Sequence, residues 1–389
     1  MPLPVIVAAA RTAVATARKG TLALTSPERL ATAVVRAVVD RSGLAPELVE
    51  DVILAESLYG GGAVARYAAI EAGLVGAAGV ALNRHCAGSL TSVGMAAAQV
   101  VSGMERFLVA GGVMSSSMMP RMQMPGPDGE PVDWWMPPTH PDSVEAPNRD
   151  MSITVGWNAA KALGIGREEM DAWAFRSHQR AIAAIDAGHF EEEIVPVEAV
   201  MPDGTTRTFA VDEHPRRDSS LEKLASLKVL HPEIEGFSIT AGNSSGVNDA
   251  ASALLIASDE AARAEDAEVL AKVRAWTALG IAPKDTGLVV PDVVRKLLGR
   301  AGVAVGDVAL WEINEAFASV PIAACRALGL DEDIVNVSGS GCSIGHPVAA
   351  SGGRMLNTLI RDLRRRGGGL GVAAMCAGGG QAGAVLIEV

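Results

Sequence analysis

The sequence predicts an α/β fold, and three observations carry that reading. Short apolar runs alternate with helical stretches in the first hundred or so residues, and again from Val269 to Val389. Hydrophobic residues make up 49% of the chain but aromatics only 4%, with 42 glycines, a composition that suits small-residue helices packed on buried strands. At 389 residues the chain is long enough for two or three domains with sizeable cores.

Val5-Ile6-Val7 opens the chain as a strand, closed by Arg11. The apolar N-terminus has no basic stretch ahead of it and reads as a buried strand rather than a signal peptide. Ser26 caps the next helix, with Pro27 at its first position and Leu30, Val34, Ala37 and Val38 at helical spacing. Further strands are expected at 52–54, at 80–82 as a buried strand, and at 107–109. An amphipathic helix with Leu90, Val93, Ala97 and Val101 on one face is expected between the last two. Residues 114–149 carry Met, Pro and Trp without periodicity and read as a long covering excursion. A helix returns over 167–187. The second block holds strands at 269–273, 310–313, 372–375 and 384–387. Its segment from Met375 (MCAGGGQA) echoes LVAGGVMS from Leu108, which suggests a duplicated domain.

Every apolar run is interrupted before the ~18 residues that a membrane span needs. The net charge of −12 lacks the basic footprint of a nucleic-acid-binding protein. Cys86, Cys325, Cys342 and Cys376 have neither metal-site spacing nor disulfide-scaffold density, so free thiols in a reducing cytoplasm are expected, without a metal.

Four segments carry chemistry. In Asn83-Arg84-His85-Cys86-Ala87-Gly88-Ser89, Cys86 lies at an expected helix N-terminus, where the macrodipole favours a thiolate; the alternative is a small core residue. Gly345-His346-Pro347 is expected to open a helix with Pro347 at its first position, placing His346 either as a base of near-neutral pKa or as a structural cap. Cys376-Ala-Gly-Gly-Gly follows a strand, and its glycines build either an oxyanion nest centred on Gly378 or a tight turn. Asn314, in Asn-Glu-Ala-Phe-Ala, is either a cap or an amide that holds water or polarises a carbonyl.

Taken together, NRHCAGS, NEAFA, GHPVAASGGR and CAGGGQAGA resemble the thiolase family in family order, and TAGNSSGVND from Thr240 and DEHPRRDSSLEKLASLK from Asp212 support the resemblance over nearly the whole chain. The resemblance implies two duplicated α/β domains with a long inserted loop domain: residues 1–113 plus 244–262, a loop domain over 114–243, and residues 263–389. It implies an acyltransferase that cleaves 3-ketoacyl-CoA or runs the reverse Claisen condensation through a cysteine acyl-enzyme. Cys86 would be the nucleophile, His346 its base, and Cys376 the acid/base at the substrate α-carbon. Asn314 would hold a water that forms one oxyanion hole with His346, and the N–H groups of Cys86 and Gly378 would form the other. Ser245 and Met151 would contact pantetheine, and Arg216 would lie near the nucleotide phosphates; by residue type alone, Arg216 and Arg217 are equally a solvated pair. Coenzyme A and acyl-CoA enter as substrates, with no permanently bound cofactor, and the assembly is expected to be a homodimer or homotetramer.

Departures from the family pattern concern the substrate. The family's HMG loop reads Asp150-Met151-Ser152, so an acid replaces a histidine that normally lines the acyl pocket, and a changed pocket floor is expected. Met114 stands for the glutamate of the GGVE segment, and Cys342 precedes His346 by four residues. The competing readings are a ketoacyl synthase-like condensing enzyme, a group that generally pairs its cysteine with two histidines, and a non-catalytic acyl-CoA binder that kept the fold.

Overall fold

The computed structural model describes residues 1–57, 62–134 and 138–389. Nine strands form the path of one sheet: β1 (Pro4–Thr12), β2 (Asp51–Glu56), β3 (Ala78–Leu82), β4 (Phe107–Ser115), β5 (Asn248–Ser258), β6 (Ala271–Gly280), β7 (Val308–Ile313), β8 (Leu370–Ala377) and β9 (Gln381–Glu388). Their order is β7-β8-β9-β6-β1-β5-β4-β2-β3, with two short strands added at its flank. The halves meet where β1 pairs with β6 through only Val5↔Lys272 and Ile6↔Ala271.

Each half repeats one pattern. In the first, β2 runs parallel to β4 and β5 lies antiparallel beside it; in the second, β7 runs parallel to β8 and β9 lies antiparallel beside that. The echo between residues 108 and 375 thus falls on equivalent strands, β4 and β8. The glycines differ in use: Gly111 and Gly112 lie inside β4, while Gly378–Gly380 turn the β8–β9 hairpin.

Four helices matter for the site: α1 (Pro27–Ser42), α2 (Gly88–Ser102), α3 (Arg167–Asp186) and α4 (Ser351–Arg365). Ser26 Oγ accepts from the N–H of Arg29, so α1 starts where its cap and Pro27 place it. Helices α2 and α4 pack together between the two half-sheets. Leu90, Val93, Ala97 and Val100 of α2 share a core with Met355, Leu356, Leu359 and Ile360 of α4. Val101, expected on that face, is exposed and Val100 takes its place. Gly352 allows the approach, since a Cβ there would stand 2.7 Å from the Leu90 nitrogen. Helix α1 covers the outer face of the first half-sheet, and Val290–Ala301 covers that of the second.

A further expectation fails. Strand β3 is the edge of the sheet, with Val80 exposed, rather than a buried strand, because it pairs with β2 alone. Within the excursion, Met122–Pro125 and Pro131–Trp134 form an antiparallel hairpin that aperiodic Met and Pro residues concealed. Strand β4 runs on to Ser115, and the chain returns from the excursion as β5, between β1 and β4. A helix, Asp259–Ala264, follows β5.

Candidate active site

The loop after β3 holds Cys86. Asn83 Oδ1 accepts from the His85 N–H at 2.8 Å, and His85 adopts φ +45°, a left-handed conformation that a side chain seldom tolerates and that often marks functional loops. His85–Ala87 form a 3₁₀ turn, and α2 begins at Gly88. The sulfur of Cys86 receives the N–H of Gly378 and its own N–H. These donors favour the thiolate, but burial outweighs them and pushes the thiol up to about 11. The expectation of a dipole-stabilised thiolate is therefore corrected: the resting group is a thiol, and it needs a base.

His346 shares the cavity wall with Cys86. The chain reaches it through Gly345, whose φ of +111° places a Cβ 2.6 Å from Asn248 Oδ1, so only glycine fits. The same oxygen accepts the His346 N–H at 2.9 Å. Nδ1 of His346 lies 2.6 Å from Ser351 Oγ at the start of α4. Burial, with Arg354 adding to it, pushes the imidazole down to about 3, so it is neutral at ordinary pH. This replaces the near-neutral pKa expected of the base. The expected helix start is also corrected. Pro347 precedes a 3₁₀ turn, Val348–Ala350, and the α-helix begins only at Ser351, because His346 is held in a bridge to Val247.

Cys376 lies in β8, paired with Ala382 of β9. It is 2% exposed, and burial with the nearby Cys86 raises its thiol far above the ordinary value. Gly378–Gly380 form the tight turn, one of the two readings offered for them. They turn a hairpin, and the Gly378 N–H faces the Cys86 sulfur.

Asn314 follows β7 directly. Its Nδ2 lies 3.4 Å from His346 Nδ1, while its buried Oδ1 has no partner among the described residues. Next to it, Glu315 binds four donors: Trp173 Nε1, Ser177 Oγ, Asn336 Nδ2 and the Cys342 N–H. Cys342 is thus part of the scaffold that fixes the loop before His346. Sequence reasoning quoted the segments containing Glu315, Asn248, Ser351 and His85 but gave these residues no role. Asn248 stands before the buried Asp249 at the start of β5, a signal for a strand-end polar clamp.

A cavity of about 320 Å³ gathers Cys86, His346, Cys376, Gly378, Ser245 and Met151 in its wall. Asn314 stands behind His346 rather than in the wall. Met151 precedes a π-helix, Ser152–Trp157, a distortion frequently found at functional sites. Arg216 is exposed and absent from the cavity; its N–H donates to His178 Nδ1. Arg217 pairs with Asp186. Asp150 is absent from the cavity wall too, to which its neighbours Met151 and Val155 contribute. Its carboxylate accepts from Ser152 Oγ at 2.6 Å and contacts His231 Nε2 at 2.8 Å. Among the described residues no cluster could hold a metal ion, and no helix is long and apolar enough to cross a membrane.

Residues 4–260 match the thiolase N-terminal domain family and residues 267–389 the thiolase C-terminal domain family. The chain belongs to the thiolase family. This thiolase is 38% identical to the acetyl-CoA acetyltransferase of Chromobacterium violaceum over 98% of each chain. It is also 38% identical to the beta-ketoadipyl-CoA thiolase of Acinetobacter baylyi, over 84% of this chain and 83% of that one. The crystal structure of the Bacillus anthracis acetyl-CoA acetyltransferase superposes with a TM-score of 0.91 at 34% identity, covering 100% of this chain and 99% of the other. This thiolase is an acyltransferase that works through a cysteine acyl-enzyme.

Proposed function

We propose that this thiolase interconverts 3-ketoacyl-CoA plus coenzyme A with two acyl-CoA thioesters through acylation of Cys86. The convergence of Cys86, His346, Cys376 and the Gly378 N–H on one cavity carries this reading. His346 takes the thiol proton as sulfur attacks the ketone carbonyl, and the developing oxyanion is held by the N–H groups of Cys86 and Gly378. Cleavage of the Cα–Cβ bond leaves an acyl group on Cys86 and a thioester enolate. A water held by Asn314, with His346, stabilises that enolate, and Cys376 delivers the proton to its α-carbon. Coenzyme A then gives its thiol proton to the Cys376 thiolate and takes the acyl group, His346 returns its proton to the Cys86 sulfur, and condensation follows the same steps in reverse.

Ser245 and Met151 guide the pantetheine arm. Arg216, exposed and outside the cavity, meets the nucleotide phosphates at the far end of an extended coenzyme A. Residues 1–113 with 244–262 and residues 263–389 are the two duplicated domains, and 114–243 is the loop domain that covers coenzyme A. The enzyme acts in the cytoplasm in fatty-acid or related acyl metabolism, where its four free thiols stay reduced. It assembles as a homodimer or homotetramer, a reading supported by the exposed edge strand β3.

Incubation with acetoacetyl-CoA and coenzyme A tests the reaction. The wild type is expected to release two acetyl-CoA per cleavage, and Cys86→Ala none; equal turnover by both would refute the proposal.

A further inference from the structure

Beside the catalytic cavity lies a second recess of about 960 Å³, and the two share Arg18, Ser116 and Met119 in their walls. The recess also carries Arg121 and Arg149. All three arginines are exposed, and among the described residues none forms an ion pair. Arg149 is near enough to Asp142 to help lower its carboxyl, and Asp133, the one acid in the wall among the described residues, accepts from Gln123 at 3.1 Å. In a chain of net charge −12, three arginines against the single wall carboxylate of Asp133 leave the recess net positive.

Arg18 stands where the two spaces meet. Its φ of +67° is costly for a residue with a side chain, and it is held there by a hydrogen bond from its N–H to Ser117 Oγ. Ser117 in turn donates to Asp249 of β5. Backbone strain fixed in this way places a guanidinium at the rim of the apolar cavity. Ser245 and Met151, the proposed pantetheine contacts, line the cavity but not the recess, which adjoins the cavity through Arg18, Ser116 and Met119 instead.

We propose that Arg18, Arg121 and Arg149 form a subsite for a terminal carboxylate on the acyl chain, so that the enzyme acts on 3-ketoacyl-CoA thioesters of dicarboxylic acids. This rests on the catalytic and pantetheine roles proposed above. A guanidinium matches a carboxylate in a bidentate pair, and exposure makes the pairing sensitive to salt.

The test compares kcat/KM for thiolysis of 3-ketoadipyl-CoA and 3-ketohexanoyl-CoA, which share chain length and differ in terminal charge. The wild type is expected to favour the carboxylate by about tenfold or more at low ionic strength, and less as salt rises. Arg121→Gln, and Arg18→Gly, which keeps the left-handed backbone, are expected to lower that ratio several-fold. A wild-type ratio near one overturns the proposal. So does an unchanged ratio with both substrates slowed equally, which would assign the arginines to the phosphates of coenzyme A. Cleavage of neither thioester would instead defeat the reading of the catalytic site on which the proposal stands.

Discussion

The side-chain nitrogen of Asn314 lies 3.4 Å from Nδ1 of His346, while its buried carbonyl oxygen has no partner among the described residues. An acceptor that no described protein group reaches, beside His346, is placed to hold the water proposed above. Asn314→Ala is expected to lower kcat by about 10² to 10³-fold, as loss of an oxyanion-hole donor does, with KM changed little and Tm unchanged or raised. A variant with full kcat and a lowered Tm would make Asn314 structural.

The protonation states of Cys86 and His346 give a second expectation. Between a thiol pushed up to about 11 and an imidazole pushed down to about 3, the resting pair is neutral across ordinary pH. Alkylation of Cys86 by iodoacetamide should therefore rise about tenfold per pH unit from about pH 6 to 9, following the thiolate fraction. A rate flat over that range would reveal a preformed thiolate–imidazolium pair. Cys86 should also label ahead of Cys325, which is buried and pushed up to about 12. Peptide mass spectrometry after brief labelling reads both outcomes.

Acid should destabilise the protein. Burial lowers His346 to about 3 and His178 to about 4, so between those values and the ordinary imidazole value the unfolded chain binds more protons than the folded one. Stability then rises with pH, and about 2 kcal/mol per histidine is lost on going from about pH 7 to 5. Thermal unfolding followed by circular dichroism should show Tm falling over that interval. A Tm that holds or climbs would mean that these imidazoles are not buried and neutral.

His231 works in the opposite direction. Held between Glu233 and Asp150, it has a raised pKa, so its contribution is complete below the ordinary imidazole value and is lost as pH climbs through the raised one. The Tm penalty of His231→Gln should accordingly be larger at about pH 6 than at about pH 9. Equal penalties at both would show that His231 acts through packing on Phe237 alone.

Much of this was legible in the sequence, for definite reasons. Ser26 and Pro27 announced α1, and of the cysteines and histidine that share the cavity, Cys86 and His346 follow a β-strand and a glycine-rich loop while Cys376 lies near the end of β8, before the glycines. Tertiary approach decided the rest. Pro347 suggested a helix start, but the bridge from Val247 holds His346, a 3₁₀ turn follows, and the α-helix begins only at Ser351. The helix terminus at Cys86 suggested a thiolate, but desolvation is the larger effect and becomes visible only after folding. Arg216 had an apt charge in an apt segment, yet its side chain is not in the cavity wall. The clamps made by Asn248, Ser351 and Glu315 join residues 98, 5 and up to 142 positions apart, and no local spacing encodes the longer ones.

The division of labour between the two cavity cysteines is the central claim, and intact-protein mass measurement after incubation with acetyl-CoA tests it most directly. Cys376→Ser is expected to gain one acetyl group on Cys86, because the nucleophile and its Gly378 donor remain, while condensation slows by about 10² to 10⁴-fold for want of an acidic enough proton carrier. Cys86→Ala should gain none. A covalent acetyl group in the active site of Cys86→Ala, or full condensation by Cys376→Ser, would contradict the account.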